Sequence, residues 1–360
     1  MSRYQITLTP VDKFFFGGEM TFQIGEDEND EFNTQFKSYI IKSSMFPQQT
    51  SLLGMLRFLV LRNGGSKVFD NGHITNKENA KKLIGKQSFS VNDTHCENKF
   101  GAIQGISHVR VRRTKDGQTT DLEFAPLFKE LTFEKVANGT YNLKDFYMPN
   151  LSKEEYNAKD GFCTFLTDGE NTYKLDNVFK EDHRIGIDRN IRTGKTDDGA
   201  LFKQISYRFN TEEANYCFVF EADVDDTVAL EDYDKQIISV GADNSQFVLG
   251  ISKEVKTYGQ IKSMTNAIYL LSPAFLSREE ARKATFAVTN IIPFRFLSFV
   301  MDEVNSYHIL KNRTARCNKR YELYASGSVF YFKDETQKQE FIKFLEDKKE
   351  FRQIGYNEYK

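Results

Sequence analysis

Five histidines are the residues of this sequence that could most readily act as general acids or bases near neutral pH. They are scattered along the chain and none stands beside a recognisable nucleophile motif. The sequence has neither a G-x-S-x-G nucleophile elbow nor an H-E-x-x-H metal-binding helix. We therefore expect no catalytic centre. The five are His73, His95, His108, His183 and His308.

Two further strings could bind a nucleotide or a metal ion. Gly194-Lys195-Thr196 resembles the end of a phosphate-binding loop, but Arg189 stands where that loop needs its first glycine. The carboxylates of the run 223–226 could hold a divalent cation, although such a run more often forms the solvated end of a strand. The four cysteines include no C-x-x-C pair, which argues against zinc and a disulfide framework. We expect no metal and no cofactor.

Clustered arginines and lysines could bind the phosphates of a nucleic acid. Arg110 and Arg112 share one face of a predicted strand, which would make a short stripe that follows a phosphate backbone. A solvated sheet face explains the same pattern without any ligand. The two clusters are Arg110, Arg112 and Arg113 in the first, and Arg184, Arg189, Arg192 and Lys195 in the second.

The charge of the whole chain is balanced. Forty-nine basic and fifty-one acidic residues give a formal net charge of −2, so the chain lacks the basic signature of an independent nucleic-acid-binding protein. The start of the sequence has no apolar core of signal-peptide length, and no window reaches the ~18 apolar residues of a membrane helix. We expect a cytoplasmic protein with no membrane partner, whose RNA contacts come from local patches.

Alternating and helical patterns indicate an α+β fold with mostly antiparallel sheets. A buried helix is predicted over 50–62 with Thr50 as its N-cap, and an amphipathic helix over 334–351 with Asp334 as its cap. The length suggests two domains, which we place at 1–260 and 261–360 because the pattern restarts after 262. The predicted strand elements are a first strand over 3–9, hairpins over 105–126 and 201–224, a strand from 246, and a hairpin from 321 with a small-residue tip at 325–328.

Three segments carry a resemblance to a known family. They are LTPVDKFFFGGEMTF (8–22), YIIKSSMFPQQTSLLGMLRFLVL (39–61) and HRIGIDRNIRTGKTDDGALF (183–202). In this order they resemble the third Cmr subunit of type III-B CRISPR effector complexes. The resemblance covers most of the chain, with looser matches over 63–100 and 127–180.

The resemblance implies a fold of two ferredoxin-like (RRM-like) modules and a non-catalytic role. In that family this subunit binds the 5′ tag of the guide RNA (crRNA) and docks the large polymerase-like subunit. A neighbouring backbone subunit cuts the target RNA, which this subunit meets only indirectly.

Combining both arguments, we expect an RNA surface made of the helix start, the arginine strand and the small-residue tip. The free amides at the start of the helix would bind a tag phosphate, and Phe15 or Phe16 would stack on bases unless they belong to the core. The predicted RNA-binding residues are Phe16, Lys42, Ser43, Gln48, Gln49, Thr50, Arg110, Arg112, Arg113, Arg189, Arg192, Lys195, Ser326, Gly327 and Ser328.

Two alternatives remain open. A guide-processing endoribonuclease on the same fold would use histidine or tyrosine in acid–base chemistry without a metal. The paralogous subunit of type III-A complexes is the other, and the F-P-Q-Q-T-S-L-L-G-M-L-R segment disfavours it.

Overall fold

The computed structural model describes residues 1–17, 20–24, 38–85, 89, 100–136, 141–144, 152, 155–159, 161–189, 192–194, 196–258, 263–294 and 321–360. The helices in this part are α1 (Gln49–Asn63), α2 (Lys77–Ile84), α3 (Leu175–Val178), α4 (Arg278–Ala281), α5 (Glu335–Glu346) and α6 (Lys349–Gln353). The strands are β1 (Ser2–Pro10), β2 (Met20–Ile24), β3 (Ser38–Lys42), β4 (Phe69–Asp70), β5 (His73–Ile74), β6 (Ile103–Ile106), β7 (Arg110–Lys115), β8 (Gln118–Phe124), β9 (Thr132–Lys135), β10 (Tyr141–Lys144), β11 (Tyr156–Asn157), β12 (Gly161–Phe162), β13 (Phe165–Thr167), β14 (Thr172–Lys174), β15 (Phe179–Arg189), β16 (Thr196–Phe209), β17 (Asn215–Val224), β18 (Ile237–Ser239), β19 (Gln246–Ser252), β20 (Ala267–Tyr269), β21 (Phe286–Val288), β22 (Ile291–Phe294), β23 (Tyr321–Tyr324) and β24 (Val329–Tyr331).

The largest sheet has the order β14-β13-β8-β7-β17-β1-β19-β18, and β6 also pairs with β17. Its first strand places Tyr4, Ile6 and Leu8 on one face, each at most 1% exposed. Helix α1 contributes Leu52, Leu56 and other apolar side chains to the same core. The alternation of β1 and the all-round apolar character of α1 therefore follow from one shared core. The strand predicted over 3–9 and the helix predicted over 50–62 are confirmed.

The hairpin predicted over 105–126 is present as β7 and β8, with Asp116 and Gly117 at φ of 51° and 79° in its turn. The hairpin predicted over 201–224 is wrong, because β16 pairs with β15 and β3 whereas β17 pairs with β1, β6 and β7. Burial explains why β16 and β17 pair with different strands. β17 is buried along most of its length and takes a central place in the large sheet, where a strand is covered on both faces.

Strands β15 and β16 pair as a long antiparallel hairpin, which we call the arm. The arm continues through β3, parallel to β16, into β2, so that the four-stranded sheet has the order β15-β16-β3-β2. The bridges Phe14–Tyr207 and Phe15–Ala242 connect the segment after β1 to the arm and to the large sheet. The base of the arm is therefore fixed to the main body of the protein.

The C-terminal part forms a sheet of order β20-β24-β21 and a separate pair of β22 and β23. The hairpin predicted from residue 321 is wrong, because β23 and β24 belong to different sheets and the turn between them crosses from one to the other. The amphipathic helix predicted over 334–351 is confirmed in its first part as α5, whereas residues 349–351 belong to the separate helix α6. The α5 cap Asp334 accepts a hydrogen bond from the Gln337 amide at 2.9 Å, and Phe341 and Leu345 are buried.

The described elements confirm a mixed α+β fold with mostly antiparallel sheets and few helices. The two ferredoxin-like modules and the domain boundary near 260 stay predictions. The C-terminal segment packs against the N-terminal part of the chain, because Phe351, Ile354 and Tyr356 belong to the same apolar core as β1 and α1. In the described part, no helix is both long and apolar enough to cross a membrane.

Candidate nucleic-acid interface

Gln49, which was predicted to bind a tag phosphate, lies in the packing at the start of α1. It is 4% exposed, and its amide nitrogen donates to the carbonyl oxygens of Ser107 and Ile354, both at 2.8 Å. A Cβ at Gly355 would lie 1.9 Å from that nitrogen. Only glycine lets the chain pass so close, and Gly355 also has a φ of +83°. Gln49 therefore fastens the C-terminal segment across the start of the helix.

Thr50 is not the N-cap of α1. The cap is Gln48, whose carbonyl accepts from the amides of Ser51 and Leu52 and whose side chain makes no capping bond. Burial raises the pKa of Tyr356, and the backbone amides of Thr50 and Gln49 act against that rise, so the hydroxyl of Tyr356 faces the first turn. Gln49 and Tyr356 are both buried here, where we expected amides open to a phosphate.

Two of the three arginines on β7, Arg110 and Arg112, are neutralised by carboxylates of the large sheet. Arg110 is 5% exposed and forms an ion pair with Glu221. Arg112 donates from Nε and Nη2 to both carboxylate oxygens of Asp121, at 2.7 and 3.0 Å. The guanidinium carbon of Arg113 lies 5.4 Å from the ring centroid of Tyr173. The predicted stripe of free positive charge on β7 is therefore absent from this structure, because each paired carboxylate removes the charge that would attract a phosphate.

The small residues predicted as an exposed tip are buried. Ser326 is 6% exposed and Ser328 is fully buried. The Gly327 amide donates to the carbonyl of Leu270 at 2.7 Å, and its own carbonyl accepts from the Leu127 amide at 2.7 Å. The turn is hydrogen-bonded on both sides as it crosses between two sheets, so the Gly327 amide already has a partner inside the protein.

Phe15 and Phe16 are 5% and 7% exposed, so of the two alternatives, stacking on bases or packing in the core, the structure has the core. The Phe16 ring stacks against Phe247 at 5.7 Å, which makes it part of the aromatic core. Ser43 is buried beside it and accepts a hydrogen bond from the Phe16 amide at 2.9 Å. Lys42 is exposed and forms an ion pair with Glu181 at 2.6 Å.

The arm carries uncompensated positive charge. Lys180 and Arg208 lie directly opposite each other on β15 and β16, and Arg184 lies four residues further along the same face. All three are exposed, and none makes an ion pair with another described residue. Asp182, which lies between them, is already paired with Lys13 at 2.6 Å. We call Lys180, Arg184 and Arg208 the basic face of the arm.

Sequence reasoning placed Arg184 in a basic cluster but missed Lys180 and Arg208. The alternation along β15 could have indicated Lys180, whereas Arg208 joins the group only through the register of the hairpin. Of the other predicted arm residues, Arg189 is the last residue of β15, Arg192 is exposed near the turn, and Lys195 lies outside the described residues. A Cβ at Gly186 would lie 2.0 Å from the ring of Phe202, so that ring covers the strand at this point.

The opposite face of the arm holds a small polar cluster. His183 Nε2 lies 2.9 Å from one carboxylate oxygen of Glu181, and Lys42 Nζ lies 2.6 Å from the other. Contact with Lys42 lowers the pKa of Glu181, which stays ionised near neutral pH. The carboxylate could therefore hold His183 in place for proton transfer, which sequence reasoning did not foresee.

No metal centre is evident in the part of the chain that the structure describes, where no three His, Cys, Asp or Glu side chains come together. The acidic run at 223–226 is engaged by the start of the chain: Asp226 accepts from the Ser2 hydroxyl at 2.7 Å, and Asp223 lies 3.8 Å from Arg3.

Comparison with solved structures shows a shared fold. A chain of the type III-B Cmr-beta complex bound to cognate target RNA, solved by cryo-EM, matches with a TM-score of 0.52 and 13% identity over 99% of this chain and 96% of that one. A chain of the same complex with target RNA and AMPPnP, in its state 1, gives a TM-score of 0.49 and 14% identity over 98% and 94%. No curated protein sequence matches the chain.

The sequence pattern of a family described as "CRISPR-associated protein (Cas_Cmr3)" matches residues 152–359. The match spans more than half of the 360 residues and includes the arm, α5 and the C-terminal segment that Gln49 fastens. It thereby confirms the resemblance seen in the sequence, and the chain belongs to the Cas_Cmr3 family of CRISPR-associated proteins.

Proposed function

We propose that this chain is a non-catalytic subunit of a cytoplasmic type III-B CRISPR effector complex that holds the 5′ tag of the guide RNA. It would dock the large polymerase-like subunit on one side and a backbone subunit on another, and meet target RNA only through them. The observation that carries the proposal is membership of the Cas_Cmr3 family. The fold shared along 99% of the chain with a protein from a Cmr-beta complex agrees with it.

We assign the main RNA contact to the basic face of the arm. Like charges placed directly opposite each other on paired strands destabilise a hairpin, as Lys180 and Arg208 do here. A bound phosphate backbone would relieve that repulsion. At roughly 3.3 Å per strand residue, Arg184 lies about 13 Å further along the arm, so the three cations could follow an extended strand of RNA.

The buried residues predicted to bind RNA have a different role in this proposal. Gln49, Arg110 and Ser328 each have partners inside the protein, so their direct contact with RNA would require the packing to open. We propose that they keep the surface in shape while the exposed cations bind the ligand.

Co-expression with guide RNA and the large subunit tests the proposal. The triple variant Lys180→Gln/Arg184→Gln/Arg208→Gln should weaken guide-RNA retention, and the slope of log affinity against log salt should fall by about 2, since each single-strand phosphate contact adds roughly 0.7. The matched control is Arg282→Gln/Lys283→Gln/Lys343→Gln, which removes three exposed cations elsewhere. Unchanged tag crosslinking in the arm variant would refute the arm as the RNA surface, and failure of the wild-type chain to assemble would refute the function.

A metal-independent endoribonuclease is the second candidate, and the contact of His183 with Glu181 favours it. In that reaction His183 would take the proton of the 2′-hydroxyl that attacks the adjacent phosphate. The P–O5′ bond would break to leave a 2′,3′-cyclic phosphate, and the 5′-oxygen would leave as a hydroxyl with a proton from water. The isolated protein would then cleave repeat RNA in the presence of a chelator. His183→Ala would abolish cleavage, while His73→Ala, at an exposed position of strand β5, would not. We expect no cleavage; a His183-dependent product would reverse that choice.

A further inference from the structure

Phe58 is exposed on the outer side of helix α1. Its exposed fraction is 39%, and it is the only exposed phenylalanine among the described residues of a chain that contains 33. Its ring meets the ring of Phe69 edge-to-face, with centroids 5.8 Å apart. An aromatic ring left partly in water beside a second one offers a surface on which a planar group can stack.

Arg62 lies one helical turn after Phe58. Its guanidinium carbon is 5.7 Å from the ring centroid of Phe58 and 5.2 Å from that of Tyr233, so aromatic rings hold the side chain in position. Its polar contact within the protein is a hydrogen bond of 3.4 Å to Gln236 Oε1. Arg62 makes no ion pair with another described residue, and it is exposed. Most of its donors are therefore available to an anion.

Phe58, Arg62 and Phe69 line a shallow depression that is open to solvent. Gly65, Ser66, Asp70 and Gly72 complete its lining. Its rim is built from the tight turn between β4 and β5, where Asn71 and Gly72 have φ of 47° and 82°. A Cβ at Gly65 or Gly72 would meet no atom within 4 Å, so the backbone there faces open space. A ligand can thus approach the main chain closely.

We propose that this depression binds one nucleotide of a single-stranded RNA, with its base against Phe58 and its phosphate on Arg62. The inference rests on the proposed function, since it adds a second RNA contact to a chain that holds RNA. The site is built from α1, the segment after it, β4 and the turn that follows β4, whereas the basic face belongs to the arm. The two sites can therefore be altered independently.

The chemistry of the depression favours a nucleotide. An exposed ring supplies stacking that tolerates any base, and an uncompensated guanidinium supplies a fork of donors for a phosphate. Asp70 also lines the depression and repels an anion, so the phosphate belongs at Arg62 and away from Asp70. The loop adds Lys67, an exposed cation directly after Ser66.

The test uses full-length protein and a 5′-fluorescein-labelled 12-residue uridine RNA at low salt, with the assembled complex as a second preparation. Phe58→Leu keeps the apolar volume and removes the ring; Arg62→Gln keeps a hydrogen-bonding group for Gln236. Each should weaken binding about 5- to 30-fold, the range expected from loss of one stacked base or one charged phosphate contact. Arg282→Gln is the control and should bind as wild type. Ultraviolet crosslinking should leave a nucleotide adduct on the peptide that contains Phe58.

Wild-type affinity in both variants, with intact thermal melting and no adduct at Phe58, would overturn this site while leaving the arm and the proposed function standing. Binding of free uridine monophosphate as tight as that of the 12-mer would overturn the assignment to an RNA strand. If the wild-type protein bound no RNA in either preparation, the proposed function itself would fail.

Discussion

Gln49 shows at the scale of a single residue how a signature motif can serve architecture. Its two hydrogen bonds join the loop before β7 to the C-terminal turn at Ile354, and Gly355 has no side chain that would block the contact. The neighbouring Gln48 is half-buried and makes no side-chain cap. Two adjacent glutamines of one motif therefore have different roles.

The first prediction follows from this difference. Gln49→Ala would leave the buried carbonyls of Ser107 and Ile354 without their donor, so the free energy of unfolding should fall by about 2–3 kcal/mol. Gln48→Ala is the matched control and should change it by less than about 0.5 kcal/mol. Urea unfolding followed by circular dichroism suits a chain without tryptophan. Equal destabilisation in the two variants would contradict the role assigned to Gln49.

At the scale of elements, an ionic network ties β8 to the end of the chain. Glu123 on β8 lies 3.3 Å from Lys360 Nζ and 3.4 Å from His108 Nε2. Lys360 itself pairs through its backbone with Tyr269 of β20, at 3.0 Å. Burial raises the pKa of Glu123, but the nearby positive groups outweigh burial and hold the pKa at about 2. The ionised carboxylate therefore stabilises the contact between the large sheet and the C-terminal sheet.

This network predicts a pH dependence. The folded pKa of Glu123 is lower than the ordinary value near 4.3, so its stabilisation is complete above about pH 4.5 and is lost as the pH falls toward 2. The stability difference between wild type and Glu123→Gln should therefore be largest at pH 5 and above, on the order of 2–3 kcal/mol, and should shrink in acid. The exposed substitution Glu254→Gln should follow wild type throughout. A difference that stays constant from pH 6 to pH 3 would refute the assignment.

The arm is the element for which the sequence prediction and the structure differ most. Gly194 lies between the two strands of the arm and Thr196 is the first residue of β16, so a strand follows here and not the helix that follows a phosphate-binding loop. The register of β15 with β16 brings Lys180 and Arg208, 28 residues apart in sequence, face to face. A hairpin with opposed cations is costly by itself, and this favours an anionic partner.

At the scale of the whole molecule, a net charge of −2 limits what the chain can bind alone. Arg110 and Arg112 on β7 are neutralised internally, so we look for RNA contacts at the basic face of the arm and the depression at Arg62. We expect the isolated chain to bind single-stranded RNA only weakly near 150 mM salt, with a Kd of roughly 1–100 µM, and to bind more tightly at 50 mM. Fluorescence anisotropy at both salt concentrations measures this. Nanomolar affinity that does not depend on the salt concentration would contradict this prediction.

Local patterns in the sequence were enough to predict the elements whose structure depends on residues close together in sequence. Alternation predicted β1, the Asp116–Gly117 pair predicted the turn between β7 and β8, and the apolar run predicted α1. The family followed from motifs, and the match over 152–359 confirmed it through a different part of the chain from the N-terminal motifs that indicated it first. These features are set by side-chain period and turn chemistry, which a sequence displays directly.

Only the tertiary structure decided which strands pair and which predicted site residues reach solvent. Adjacent strands β16 and β17 resemble a hairpin, as do β23 and β24, yet each pair separates into two sheets because burial on both faces selects the partner of a strand. The sequence predicts Gln49 and Arg110 as phosphate ligands. In the structure, both side chains bind partners that are distant in sequence, Ile354 and Glu221. Long-range packing determines exposure, so the candidate RNA surface lies on the arm and around Phe58 and not at the motif itself.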